Sequence, residues 1–287
     1  MFGNQWHKKE KPLPTMIGMG GGATSLQQNA GGVAVSFYGD RGITAGGNGP
    51  SNVIQYYDIT STGNATDFGD LLEARYDLSP SSDGSRGIFS GGANPSVTDT
   101  ISYVTIASTG NATDFGNLPS ARHGQSQGTI SDGTTGIWGG GDTGSVTYQI
   151  CSITIQTTGN ASDFGDLNSS HRYFGACCSL TRGVFGGAYN SSPCSAGCNY
   201  IDYITIASPG NATDFGDLTV ARALHQGTSD KVRGVFAGGR LSDSNNSNTM
   251  DYITMASAGN ATDFGDLNIS VRQYHGTAIC STHGGIP

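Results

Sequence analysis

One nine-residue phrase, written five times, constrains this chain more than any other feature. It reads Gly63-Asn64-Ala65-Thr66-Asp67-Phe68-Gly69-Asp70-Leu71 and returns, with at most one change, at Gly110, Gly159, Gly210 and Gly259. The steps between copies are 47, 49, 51 and 49 residues. Self-similarity at a fixed period of this size belongs to solenoids and propellers, in which one supersecondary unit buries its apolar face against the next.

Within each period, short runs alternate with turn residues. In the second repeat, Tyr76 to Pro80 leads into Ser82-Asp83-Gly84. Arg86 to Gly92 follows, then Ile101 to Ile106, then the segment around Asp114-Phe115-Gly116. Runs of about five residues separated by Gly, Asn and Asp predict a four-stranded antiparallel meander. No segment carries a convincing helical period. The expected fold is all-β: a β-propeller of about five four-stranded antiparallel blades, with repeats starting near Gly32, Tyr76, His123, Tyr173 and Ala223. Residues 1–31, rich in Gly and Pro, are read as an extended N-terminal arm for anchoring or assembly, and residues 32–287 as the propeller. Gly32 to Gly39 supplies a first strand for the first blade. Tyr274 to Ser281 repeats that pattern once more and is expected to join the same blade and close the ring.

Composition narrows the function classes. Charged residues are 13%, Gly is 46 of 287 and the net charge is −8 with pI near 5.0. An acidic surface argues against nucleic acid, whose phosphates need Lys and Arg. No run of 18 apolar residues exists to span a membrane, and the N-terminus has neither the continuous apolar region nor the cleavage site of a signal peptide.

The second-strand segments, such as Arg41-Gly42-Ile43-Thr44-Ala45-Gly46-Gly47 and Arg86 to Gly92, end in paired small residues, and a Tyr and then a second aromatic follow. This pattern resembles the kelch repeat. Tyr57, Tyr103, Tyr203 and Tyr252 are placed at the tyrosine position, with Ser152 in the third repeat. The second aromatic is a Phe about twelve residues on, where kelch repeats carry a nearby Trp. The wording Tyr-Ile-Thr-Ile-Ala-Ser-x-Gly-Asn-Ala-Thr-Asp-Phe-Gly-Asp-Leu, over roughly residues 33–282, is similar to repeat proteins of marine bacteriophages that are described as virion structural proteins. That resemblance implies a non-enzymatic virion component in the capsid decoration, tail or fibre. Its partners would be other virion proteins, or copies of itself through the arm, with a host-surface glycan or protein on its loops. The alternative is a secreted or cell-surface glycosylated propeller that assembles or adheres.

The repeated residues have structural readings. Phe68, Phe115, Phe164, Phe215 and Phe264 are expected to be buried plugs between blades. Arg75, Arg122, Arg172, Arg222 and Arg272 follow the fourth strand, and Arg41, Arg86, Arg182 and Arg233 open the second. With nine aspartates in register, from Asp67 and Asp70 onward, they predict rings of ion pairs. Two carboxylates per repeat fall short of a calcium shell, so neither metal nor cofactor is expected. Asn64, Asn111, Asn160, Asn211 and Asn260 each spell a glycosylation acceptor, although the turn alone selects those residue types. Cys194 and Cys198, in the longest insertion, are placed to form a disulfide across a short loop.

No nucleophile elbow, phosphate loop or HExxH helix occurs, which predicts a non-enzyme. The connections between strands two and three vary most, and variable loops on a rigid scaffold are where binding sites are usually built. Asn94, Asp142, Tyr189, Asn190, Arg240 and Asn245, all in those loops, are the candidate binding residues.

Overall fold

The computed structural model describes residues 26–28, 34–36, 41–47, 49–126, 128–189, 197–230, 232–271 and 277–280. These form strands and turns with no helix among the described residues, arranged as a five-blade propeller. Blade I contains Thr277–Cys280, Arg41–Ala45, Ser51–Asp58 and Thr66–Arg75. Blade II contains Ser79–Ser82, Arg86–Ser90, Thr100–Thr105 and Thr113–Asn117. Blade III contains Ile130–Ser131, Thr135–Gly139, Gln149–Thr154 and Ser162–Asp166. Blade IV contains Gly175–Cys178, Arg182–Ala188, Cys198–Thr205 and Thr213–Ala223, with Arg240–Leu241 added at its edge. Blade V contains Gln226–Ser229, Arg233–Ala237, Ser247–Thr254 and Thr262–Val271.

The first strands lie side by side in the order Thr277–Cys280, Ser79–Ser82, Ile130–Ser131, Gly175–Cys178 and Gln226–Ser229. They carry small residues, as in Ser79-Pro80-Ser81-Ser82 and Gly175-Ala176-Cys177-Cys178, and both of these segments are buried throughout. Five strands converging on one axis leave little room for larger side chains. The apolar clusters sit further out, between blades. Phe68 of blade I packs with Phe89, Val104 and Ile106 of blade II, and Phe115 packs with Trp138 and Ile155 of blade III.

The repeated phrase explains how neighbouring blades are fastened. The Gly110-Asn111-Ala112 turn of blade II grips the fourth strand of blade I. Gly110 N–H donates to Phe68 O (2.7 Å), Ala112 N–H to Asp70 O (2.7 Å), and Asp70 N–H to Asn111 Oδ1 (3.0 Å). The asparagine and alanine bonds recur at Asn160-Ala161, Asn211-Ala212 and Asn260-Ala261 on Asn117, Asp166 and Asp217 of the preceding blades. The glycine of the Asp-Phe-Gly triplet is required for this approach. A Cβ on Gly69, Gly116, Gly165 or Gly216 would meet the next turn's carbonyl oxygen at 2.3–2.5 Å. The Asn-Ala turn is therefore an inter-blade clasp, and its side chain and backbone close the joint together.

Several expectations are corrected. Ala34–Ser36 pairs with Leu26–Gln28 in a separate two-stranded ribbon, so the segment from Gly32 to Gly39 is not the first strand of blade I. That place goes to Thr277–Cys280, antiparallel to Arg41–Ala45, and the C-terminal segment joins the first blade as expected. Tyr56 is the counterpart of Tyr103. It pairs with Ile43 as Tyr103 pairs with Ile88, while Tyr57 points at Gly42. Phe68, Phe115, Phe164 and Phe215 are 2–3% exposed, whereas Phe264 is 47% exposed. No turn grips Phe264 among the described residues, and a Cβ on Gly265 would meet nothing within 4 Å.

The arginine register also shifts. Residues whose carbonyls crowd the paired glycines are Arg75, Arg122, His171, Arg222 and Val271. Arg172 lies one position further on, and Arg272 lies outside the described residues. Buried Arg75, Arg122 and Arg222 reach into the next blade and donate to carbonyls such as Gly91 O (2.9 Å), Gly140 O (3.3 Å) and Phe236 O (3.1 Å). The repeat aspartates make no ion pair with these arginines among the described residues. Arg222 pairs with the buried Asp251 at 2.6 Å, outside that register. Carbonyls win because a strand end offers them at fixed positions beside the guanidinium fork, while the repeat aspartates stand mostly at the exposed rim.

Candidate functional site

The loops between strands two and three meet the connections between blades on one face. Tyr76 bridges Ala93, His123 bridges Asp142, and Arg172 bridges Tyr189. Around the axis on this face, Asp77, Gly124, Tyr173 and Leu224 share left-handed φ values of 56°, 63°, 54° and 56°. They are linked from blade to blade: Gly124 N–H donates to Asp77 O, Tyr173 N–H to Gly124 O, and Leu224 N–H to Tyr173 O. Three non-glycine residues in this conformation are strained, and the chain of inter-blade bonds holds them there.

A polar cluster stands on this ring. Tyr173 OH donates to Asp77 Oδ2 (3.0 Å), and His123 Nδ1 lies 3.1 Å from the same oxygen. Burial, reinforced by the Asp77 charge, pushes the Tyr173 phenol well up, so it stays a protonated donor. Beside it, Arg172 is ion-paired with Asp142 and lies 5.4 Å from the Tyr173 ring centre and 5.0 Å from that of Tyr189. Arg240 also lies over the Tyr189 ring, 5.8 Å from its centroid. Tyr189 thus lies against two guanidinium groups on the variable face.

Of the residues expected from sequence, Asp142, Tyr189 and Arg240 come together here. Asn94 and Asn245 are exposed in separate loops, bonded to Ser96 and Asp243 of their own segments. Asn190 lies outside the described residues. Arg172, expected as a repeat arginine, pairs with the loop residue Asp142 and not with a repeat aspartate, and Asp77, His123 and Tyr173 were not selected from the sequence. Asp77, His123 and Tyr173 all stand in connections between a fourth strand and the next blade, and nothing in their residue types repeats from one connection to the next.

No family model matches this chain, and no curated protein matches it.

His171, His225, Cys151, Cys177 and Cys178 are buried. Burial holds the His171 and His225 imidazoles down, to about 4 and about 3, with Arg222 adding to the effect on His225. Burial raises the Cys151 and Cys178 thiols to about 11 and about 12, and Cys177 also upward. Cys198 is disulfide-bonded, while Cys194 lies outside the described residues. The turn asparagines Asn111, Asn160, Asn211 and Asn260 use Oδ1 in the clasps. Asn64 has no such bond among the described residues. No group of three or more His, Cys, Asp or Glu suited to a metal occurs among them.

Proposed function

We propose that this chain is a non-enzymatic, kelch-like structural propeller of a virion, carried by its N-terminal arm and displaying the variable face to a host-surface glycan. The repeat wording supports the setting. Kelch-like character is supported by the tyrosines Tyr56, Tyr103, Tyr203 and Tyr252, which stand edge-on to the fourth-strand phenylalanines at 5.8–6.0 Å. The division between fixed and variable faces supports display: the clasps occupy one face, and the loops that differ between blades occupy the other. Buried imidazoles and raised thiols favour a structural over a catalytic role, since a thiol needs its thiolate to react.

The observation that carries the reading is Tyr189 flanked by Arg172 and Arg240. Two guanidinium groups gathered on one tyrosine ring suit a sugar bearing a carboxylate or sulfate. On an array of neutral and anionic oligosaccharides, the full chain should retain an anionic glycan, and Tyr189→Ala should weaken that binding at least tenfold while leaving the melting temperature nearly unchanged. Binding to no glycan, or equal binding by the variant, overturns the display role. Particles purified from the source of this sequence should contain the chain by mass spectrometry, and its absence from them overturns the virion setting.

A further inference from the structure

On the face of the fixed turns, opposite the variable loops, four of the five blades hold an aromatic–cation pair. Arg41 lies over Tyr56 at 4.7 Å, Arg86 over Tyr103 at 4.5 Å, Arg182 over Tyr203 at 4.7 Å and Arg233 over Tyr252 at 4.8 Å. In three of these blades the same guanidinium crosses to the next blade. Arg41 Nη1 donates to Ile106 O (3.0 Å), Arg86 Nη1 to Ile155 O (3.1 Å) and Arg182 Nη1 to Met255 O (3.0 Å). The pair fills the junction, and its charged nitrogen satisfies a carbonyl at the end of the neighbour's third strand.

Blade III lacks both members. Thr135 stands at the arginine position, paired across the sheet with Thr154 as Arg86 is with Thr105, and Ser152 stands at the tyrosine position, paired with Ile137 as Tyr103 is with Ile88. The two truncations open a cavity of about 420 Å³ between blades III and IV, lined by Thr135, Ser152, Phe164, Ile206 and Pro209. The groove lined by Tyr103 in blade II measures about 160 Å³. Phe164, 3% exposed, lies in the cavity wall without the edge-on tyrosine its counterparts have, and Ile206 is the counterpart of Ile106, Ile155 and Met255.

We propose that this cavity is a binding site for an arginine side chain presented beside an aromatic ring by a protein partner. The ring takes the place left by tyrosine, edge-on to Phe164. The guanidinium lies over it and donates to Ile206 O, as Arg86 does to Ile155 O. Four internal pairs show the geometry the site accepts, and the chain's net charge of −8 favours a cation. A guanidinium fits better than an ammonium because its planar fork can stack on the ring and bond the carbonyl together. The site does not depend on what the variable face binds.

The test uses the full chain, the probe acetyl-Tyr-Arg-amide and the control acetyl-Tyr-Ala-amide. The probe should bind with a dissociation constant on the order of millimolar, as expected for a small, flexible ligand, and the control at least tenfold more weakly. The double variant Thr135→Arg/Ser152→Tyr, which restores the missing pair, should melt roughly 2–4 °C higher and lose probe binding. A lower melting temperature in the double variant shows that the cavity is not shaped for the pair and overturns the proposal. So does failure of the probe to bind, or equal binding of the probe to both proteins.

Discussion

At the scale of the residue, the side chains that set this molecule's limits are buried polar ones. His171 occupies a position held by arginine in three other blades, with Nε2 2.9 Å from Ser169 Oγ. Buried imidazoles with lowered pKa values are neutral in the fold, so the unfolded chain binds more protons as the pH drops below about 6.5. Their contribution is fully present above that pH. It is lost on acidification until about 4 for His171 and about 3 for His225. Each should remove about 1.4 kcal/mol per pH unit within its window. Urea unfolding between pH 6.5 and 5 should show this slope, reduced in His171→Gln. An unchanged slope in that variant would mean that His171 titrates in the folded state. The histidine was legible as a residue but not as a replacement, because Arg172 beside it imitates the repeat.

The element that matters most is the clasp between a turn and the preceding blade. Its glycine has φ values of 142–148° in blades I to IV and 127° in blade V. Alanine at either Gly116 or Gly265 incurs backbone strain of about 1–3 kcal/mol. At Gly116, however, the new methyl would also sit 2.3 Å from Gly159 O, while at Gly265 it would enter open space. Gly116→Ala should therefore lower the urea midpoint much more than Gly265→Ala. Equal effects would mean that a turn also grips blade V in solution. Strand positions, turn positions and the Phe spacing were all readable from the period of the repeat. The clasp was not, because a turn that closes its own hairpin and one that grips a neighbour require the same Gly, Asn and small residues.

Over the whole molecule, four joints repeat one geometry and the fifth departs from it. Between blades V and I, Phe264 is 47% and Ile59 51% exposed, although Ile106, Ile155, Ile206 and Met255 at the latter's position are buried. The ends are instead connected through Thr277–Cys280 on Arg41–Ala45. Replacing Phe115 by Ala should cost about 3–5 kcal/mol, as for core aromatics. Phe264→Ala should cost less than half as much, read from the same denaturant curves. Comparable losses would show that the fifth joint is packed like the others. The sequence by itself determined the repeat, the strand-rich meander, the number of blades and the return of the C-terminal segment to the first blade, because period and alternation are properties local to the chain. Only the tertiary structure decided which blade each turn grips, that arginines seek carbonyls over the repeat aspartates, and that Asp77, His123 and Tyr173 meet from three blades. It also decided that Thr135 and Ser152 leave a shared cavity. These outcomes depend on distances between residues from 14 to 96 positions apart, set by the folding of each blade and the rotation from blade to blade, and no local pattern encodes them.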